Sequence, residues 1–233
     1  MSASLLLALV MQQAVPAAPP PIADNSFLIE EAYNQEARVV QHINALMRFN
    51  GAWAYSFTQE WPLGGERHQL SYTVPVTSGL GDVAINYRHQ VASSERVAFA
   101  PRLSVVLPTG NEAKGLGTGG TGFQANLPLS VSVGPALVTH WNAGATHTPS
   151  IDETVYNAGA SAIWRAHSLV NVMLELAWSG TNADDGLLLL SPGVRWAHNF
   201  GSLQVVPGVA VPIDLGPGKN TGVFVYLSLE HPF

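Results

Sequence analysis

The stretch Thr221–Phe233, TGVFVYLSLEHPF, decides how the rest of the chain is read. One parity carries Val223, Val225, Leu227 and Leu229, then His231 and Phe233. The other carries Phe224, Tyr226, Ser228 and Glu230. Alternation over about ten residues is the period of a strand whose two faces meet different surroundings. Two architectures supply such surroundings: the edge of a soluble β-sandwich, and the wall of a barrel with lipid outside and a polar lumen inside.

Composition favours the barrel. Charged residues are 11% of the 233, against about 25% in soluble proteins, and a lipid-facing exterior needs few. The formal charge of −6, with no basic stripe among the aromatics, excludes nucleic acid as a partner. Leu5–Met11 is an apolar run far shorter than the roughly 20 residues of a membrane helix. With Val15-Pro16-Ala17 after it, residues 1–17 read as a secretory signal peptide. Residues 18–38, acidic around Phe27–Glu36, read as a periplasmic arm or a short plug, a choice the sequence leaves open. Residues 39–233 read as the barrel.

Strand-like runs follow at Val39–Phe49, Ala52–Trp61, His68–Val76, Asp82–Val91, Val97–Pro108 and Thr121–Val133. They continue at Ala136–Thr146, Tyr156–Arg165, Leu169–Trp178, Leu187–His198, Ser202–Ile213 and Gly222–Pro232. The expectation is an all-β, antiparallel up-and-down transmembrane barrel of about twelve strands. Tight connections such as Gly64-Gly65 and Gly134-Pro135 alternate with longer ones such as Thr109–Gly120, so both termini are expected on the periplasmic side. Trp61, Trp164 and Trp196 fall before tight turns, and Trp53, Tyr156 and Trp178 near long loops, as two interfacial aromatic belts would. Pro75, Pro108, Pro128 and Pro212 predict bulges or short strand ends.

The inward parity holds the candidate site. Glu60, Gln69, Arg88, Arg102, Asn126, His140, Glu175 and Arg195 are expected to line the lumen as the solute pathway. Counting from the tight turns places Glu60 opposite Gln69, and Gln69 near Arg88 or Gln90. A structural network filling a narrow barrel fits the same residues, since charges there need partners or water. Gly115–Gly120 has a dinucleotide-binding spacing, but a strand follows where that motif requires a helix, so no nucleotide cofactor is expected. No histidine spacing suggests a metal, and no matching nucleophile–base pair is evident.

Phe27–Glu36, Phe57–Trp61, His68–Tyr72, Gly79–His89, Pro101–Asn111, Gly122–Ser130, Ser191–Arg195 and Tyr226–Phe233 together resemble an outer-membrane β-barrel family described as phenol-degradation MetA-pathway transporters. The resemblance implies a bacterial outer-membrane channel for passive passage of small, aromatic-type solutes, and not an enzyme. A C-terminal strand ending in Phe233 resembles the one through which such barrels meet their assembly machinery, so that machinery and outer-membrane lipid are the expected partners beside the solute. The alternatives are a plugged structural or adhesion barrel and a lipid-modifying enzyme.

Overall fold

A computed structural model describes residues 20–233; the signal-peptide reading lies outside the described residues. The strands in chain order are β1 (Val39–Phe49), β2 (Ala52–Pro62), β3 (His68–Val76), β4 (Val83–His89), β5 (Ala92–Ser93), β6 (Val97–Phe99), β7 (Arg102–Leu107), β8 (Gly122–Asn126) and β9 (Leu129–Gly134). The second half holds β10 (Leu137–Thr148), β11 (Glu153–His167), β12 (Val170–Gly180), β13 (Leu187–Trp196), β14 (His198–Phe200), β15 (Leu203–Ala210), β16 (Ile213–Asp214) and β17 (Val223–Pro232). Five pairs, β4/β5, β6/β7, β8/β9, β13/β14 and β15/β16, are each one barrel strand interrupted. The wall is therefore a closed, antiparallel, twelve-stranded barrel. It closes where β1 pairs with β17, from Val39↔Pro232 to Arg48↔Val223.

The interruptions have local causes. Pro128 separates β8 from β9 and Pro212 separates β15 from β16, as expected of a residue with no ladder donor. The sequence reading ran each of these as one strand, which the barrel count bears out, and expected the breaks at Pro128 and Pro212; the interruptions at the end of Asp82–Val91 and within Val97–Pro108 and Leu187–His198 are additions from the structure. The β1–β2 hairpin turns on Asn50 and Gly51, both at positive φ, the arrangement an Asn-Gly two-residue loop favours.

The parity of β17 is resolved as expected. Val223 and Val225 are 55% and 43% exposed, while Phe224 and Tyr226 are 5% and 4%. The same holds around the wall. Leu103, Phe123, Trp141, Trp164 and Leu174 point outward and stand exposed, while Ser104, Gln41, Asn126, His140 and Glu175 point inward and are buried. In water this exterior would be an apolar patch far beyond what a soluble monomer tolerates. A hydrocarbon surrounding removes the problem, and a closed barrel leaves no backbone edge unpaired in it.

The counted register needs one correction. Glu60 faces Ser71, and Gln69 faces Pro62, because the β2–β3 turn spans Leu63–Arg67 and not two glycines alone. Gln69 does face Arg88 across β3–β4.

Candidate functional site: the lumen and the segment it holds

The barrel interior is occupied by the chain's own residues 20–38. Ile22 donates its N–H to the carbonyl of Ser168, in the turn after β11, and Asn34 Nδ2 donates to the carbonyl of Glu66, in the turn after β2. The segment thus enters and leaves at the rim of tight turns, and its apex at Phe27–Glu30 reaches the middle of the wall.

The segment has no regular secondary structure over this path, so its buried amides and carbonyls must find partners elsewhere. The inward side chains supply them. Asn171 donates to the Ala23 carbonyl, His140 Nε2 to Asp24, and Arg195 Nη1 to Asn25. A single oxygen of Glu175 accepts the N–H groups of Phe27, Leu28 and Ile29 at 3.0, 2.8 and 3.2 Å. Asn142 grips Glu30 twice, accepting from its N–H and donating to its carbonyl, each at 2.7 Å. Ser130 accepts from Ala32 N–H, and Gln69 from Gln35 N–H. Arg88 donates to the carbonyls of Glu31 and Tyr33.

Charge reinforces this. Glu30 lies 3.2 Å from Arg88 and 2.9 Å from Arg102, and also accepts from Asn126 Nδ2 at 2.7 Å. Asp24 pairs with Arg165, and Glu31 lies 3.9 Å from Arg88. Each carboxylate of the inserted stretch Asp24–Glu31 therefore meets a guanidinium of the wall. Burial works to raise the pKa of Glu30, but Arg102 and Arg88 outweigh it and hold the carboxyl below its ordinary value. At Glu31 burial wins over the attraction of Arg88, and the nearby Glu60 and Glu30 add to it, so the carboxyl is pushed up to about 7.

Packing is specific as well. The Phe27 ring meets Phe224 and Tyr226 at centroid distances of 5.2 and 5.1 Å. A Cβ at Gly208 would stand 2.5 Å from Phe27 Cζ, one at Gly193 2.9 Å from Phe27 Cε2, and one at Gly159 against Ile29 Cδ1. Three mid-strand glycines thus open a socket, a use glycine has where another group must approach a sheet closely. Gly208→Ala should loosen Phe27 enough to raise chymotrypsin cleavage at residue 27 about tenfold in folded protein, given that overpacking costs about 1–3 kcal/mol.

Of the eight residues read as lumen-lining, seven bond this segment: Gln69, Arg88, Arg102, Asn126, His140, Glu175 and Arg195. Glu60 does not, and one of its oxygens has no hydrogen-bond partner. The sequence reading missed Ser130, Asn142 and Asn171 as grips, and the three glycines as a socket. It also saw no nucleophile–base pair, yet Ser130 Oγ lies 2.7 Å from His140 Nδ1. Both are fully buried inside the barrel, and both bond the segment, so nothing outside can reach them.

Two polar cavities of about 290 Å³ each flank Leu28 and Glu30. One is lined by hydroxyls on β2 and β3 (Ser56, Thr58, Ser71, Thr73), the other by Gln124, Asn126, Asn142 and Asn157.

The pKa of Glu31 has a consequence. In water its carboxyl ionises near 4.5, but in the docked segment only near 7. Docking therefore weakens as pH rises through that window, to an upper bound on the order of a hundredfold. Glu30 acts oppositely and below it, its docked form being lost only as the pH falls under the ordinary value. Cleavage at residue 27 should rise between about pH 5 and about pH 8, and Glu31→Gln should reduce the rise.

No family model and no curated relative matches the chain. Solved structures do. A porin named KdgM aligns over 83% of this chain and 99% of its own at 9% identity, with a TM-score of 0.59. The NanC porin aligns over 83% and 100% at 10% identity, TM-score 0.60. An outer membrane channel from Pseudomonas putida F1 aligns over 87% and 98% at 13% identity, TM-score 0.57. Each partner is matched over nearly its whole length, so this chain has the fold of the outer-membrane channel and porin barrels.

Proposed function

We propose that the protein is a channel of the bacterial outer membrane that passes small solutes, and that residues 20–38 close it in the conformation described here. The observation that carries this reading is the way the segment is held. It contributes no strand to the wall and is bound mainly through side chains, with Ile22 N–H to the Ser168 carbonyl a backbone bond at the rim, so it can leave without opening the barrel. A permanent core would serve stability better with apolar contacts, because buried charge pairs are an inefficient way to stabilise a fold.

Solute class follows from the lining. Hydroxyls, amides and a few charges suit water and small hydrogen-bonding solutes. The resemblance to MetA-pathway barrels adds aromatic solutes, and a phenol, which carries both a ring and a hydroxyl, is compatible with both. Selection would come from width and lining charge, with no bond made or broken. Lipid bathes the exterior, and the final strand is the part that would engage the assembly machinery.

The test is conductance in planar bilayers together with liposome swelling in neutral, anionic and phenolic solutes. The proposal expects current that rises when the segment is displaced. A folded barrel that stays silent with the segment removed would instead be a structural or adhesion barrel. Lining charge is tested separately. In a chain lacking residues 20–36, Arg102→Glu should move the reversal potential toward cation preference, and an unchanged potential would take Arg102 off the path.

A further inference from the structure

The seam where the barrel closes carries a pair of histidines with metal-binding geometry. His42 on β1 and His231 on β17 lie 189 positions apart in sequence, which is why no spacing announces them. Both project from the outward parity near the tight-turn rim, and both are partly exposed. Their Nε2 atoms are 3.3 Å apart. The ring centroids are 5.4 Å apart at 28°, close to the most that nitrogen separation permits, so the two nitrogens point toward each other.

The tautomer of His231 is fixed. Its Nδ1 lies 2.9 Å from the Pro232 carbonyl, which can only accept, so Nδ1 carries the proton and Nε2 presents a lone pair. A ring nitrogen donating to a backbone carbonyl while the other faces a second ligand is the usual orientation of a metal-binding histidine. At 3.3 Å the nitrogen–nitrogen contact lies just beyond the roughly 2.7–3.2 Å span of N–H···O bonds, within reach of a weak hydrogen bond when no ion is bound. It matches the separation of two nitrogens each about 2.0–2.1 Å from one tetrahedral ion, a chord of about 3.3–3.4 Å. Phe57, stacked at 18° and 6.2 Å, holds the His42 ring from the side.

The contrast with the second histidine pair is informative. His68 and His89 also place their Nδ1 atoms 3.3 Å apart, but His68 Nδ1 is already engaged by Tyr87 Oη at 2.6 Å. Among the described residues His42 Nε2 has no such competitor. Among the described residues no group of three or more histidine, cysteine or acidic side chains gathers, so the site has two protein ligands and leaves the other positions to water.

We propose that His42 and His231 bind a divalent transition metal of the zinc or copper class, which ties the first strand to the last across the seam. The test uses the full barrel in detergent micelles, carrying no histidine tag, titrated with Zn²⁺ alone and with Cu²⁺ alone. Calorimetry at pH 7.5 should give one equivalent of Zn²⁺ in the micromolar range, weakened at least tenfold by His42→Gln or by His231→Gln and unchanged by His68→Gln. Binding should collapse below about pH 6, where imidazoles protonate. Heat-dependent electrophoretic mobility confirms that each variant is folded. Copper resonance on the unmutated protein should show two nitrogen donors, and this reading needs no variant. Zinc binding equal in the unmutated protein and the His42→Gln/His231→Gln double variant, or a copper spectrum without nitrogen coordination, overturns the proposal. So does loss of binding on His68→Gln.

Discussion

A chain lacking residues 20–36 should conduct at least ten times more current per barrel than the full chain, while migrating as a folded barrel. The reasoning starts from what the deletion removes and what it spares. The strand ladders of the wall pair strand with strand and include no residue of the inserted stretch, whose backbone bond to the wall from Ile22 to Ser168 lies in a turn. Closure between β1 and β17 is therefore intact. What disappears is the material across the lumen: the Phe27 ring, the backbone clasped by Glu175 and Asn142, and the carboxylates of Asp24, Glu30 and Glu31. Arg88, Arg102 and Arg165 would then face water, where a guanidinium is well solvated. The variant should be less resistant to heat, since its inward polar groups lose fixed partners. Planar-bilayer recording and heat-dependent mobility together check both halves, and a current unchanged from the full chain would count against closure by this segment.

Glu30→Ala should act almost as strongly with one side chain. Its carboxylate touches Arg88, Arg102 and Asn126, and Arg102 approaches both of its oxygens, at 3.0 and 2.9 Å. Removing one partner of a buried ion pair costs about 3–5 kcal/mol, because the remaining charge keeps its desolvation penalty. Here the Glu30 side chain is 19% exposed, so the low end of that range applies. About 3 kcal/mol still shifts the docking equilibrium by more than a hundredfold toward the free segment. The barrel wall loses nothing structural, because the arginines can turn toward water once the segment departs. Cleavage at residue 27 and channel current should rise together in Glu30→Ala. Glu30→Gln should fall between, since its amide oxygen can still accept from Arg102.

The outward half of this structure was legible in the chain because it obeys one period. Val223, Val225 and Leu227 declare the lipid side, and the same alternation locates most strand bounds to within a residue or two. Breaks at Pro128 and Pro212 were legible as strand ends, because a residue with no ladder donor marks them, whereas those at Gln90 and Ala197 carry no comparable signal. The inward half was legible in composition and not in use. A polar parity satisfies water and a threaded peptide equally, so Arg88 and Glu175 were recognisable as lumen residues without showing what they hold. Two signals pointed further. Gly159, Gly193 and Gly208 lie in strand interiors, where a glycine must be explained by some close neighbour. Asp24, Glu30 and Glu31 precede a wall rich in inward arginine. Glu60 was misplaced for a simpler reason, the length of the Leu63–Arg67 turn.

Both ends of the inserted stretch lie at the same rim, with Ile22 on the turn after β11 and Asn34 on the turn after β2. Geometrically it is a bight pushed into a ring and not a cord passed through one. It can be drawn back without a free end ever crossing the barrel, so a bulky tether fixed ahead of residue 20 would leave its retreat unhindered.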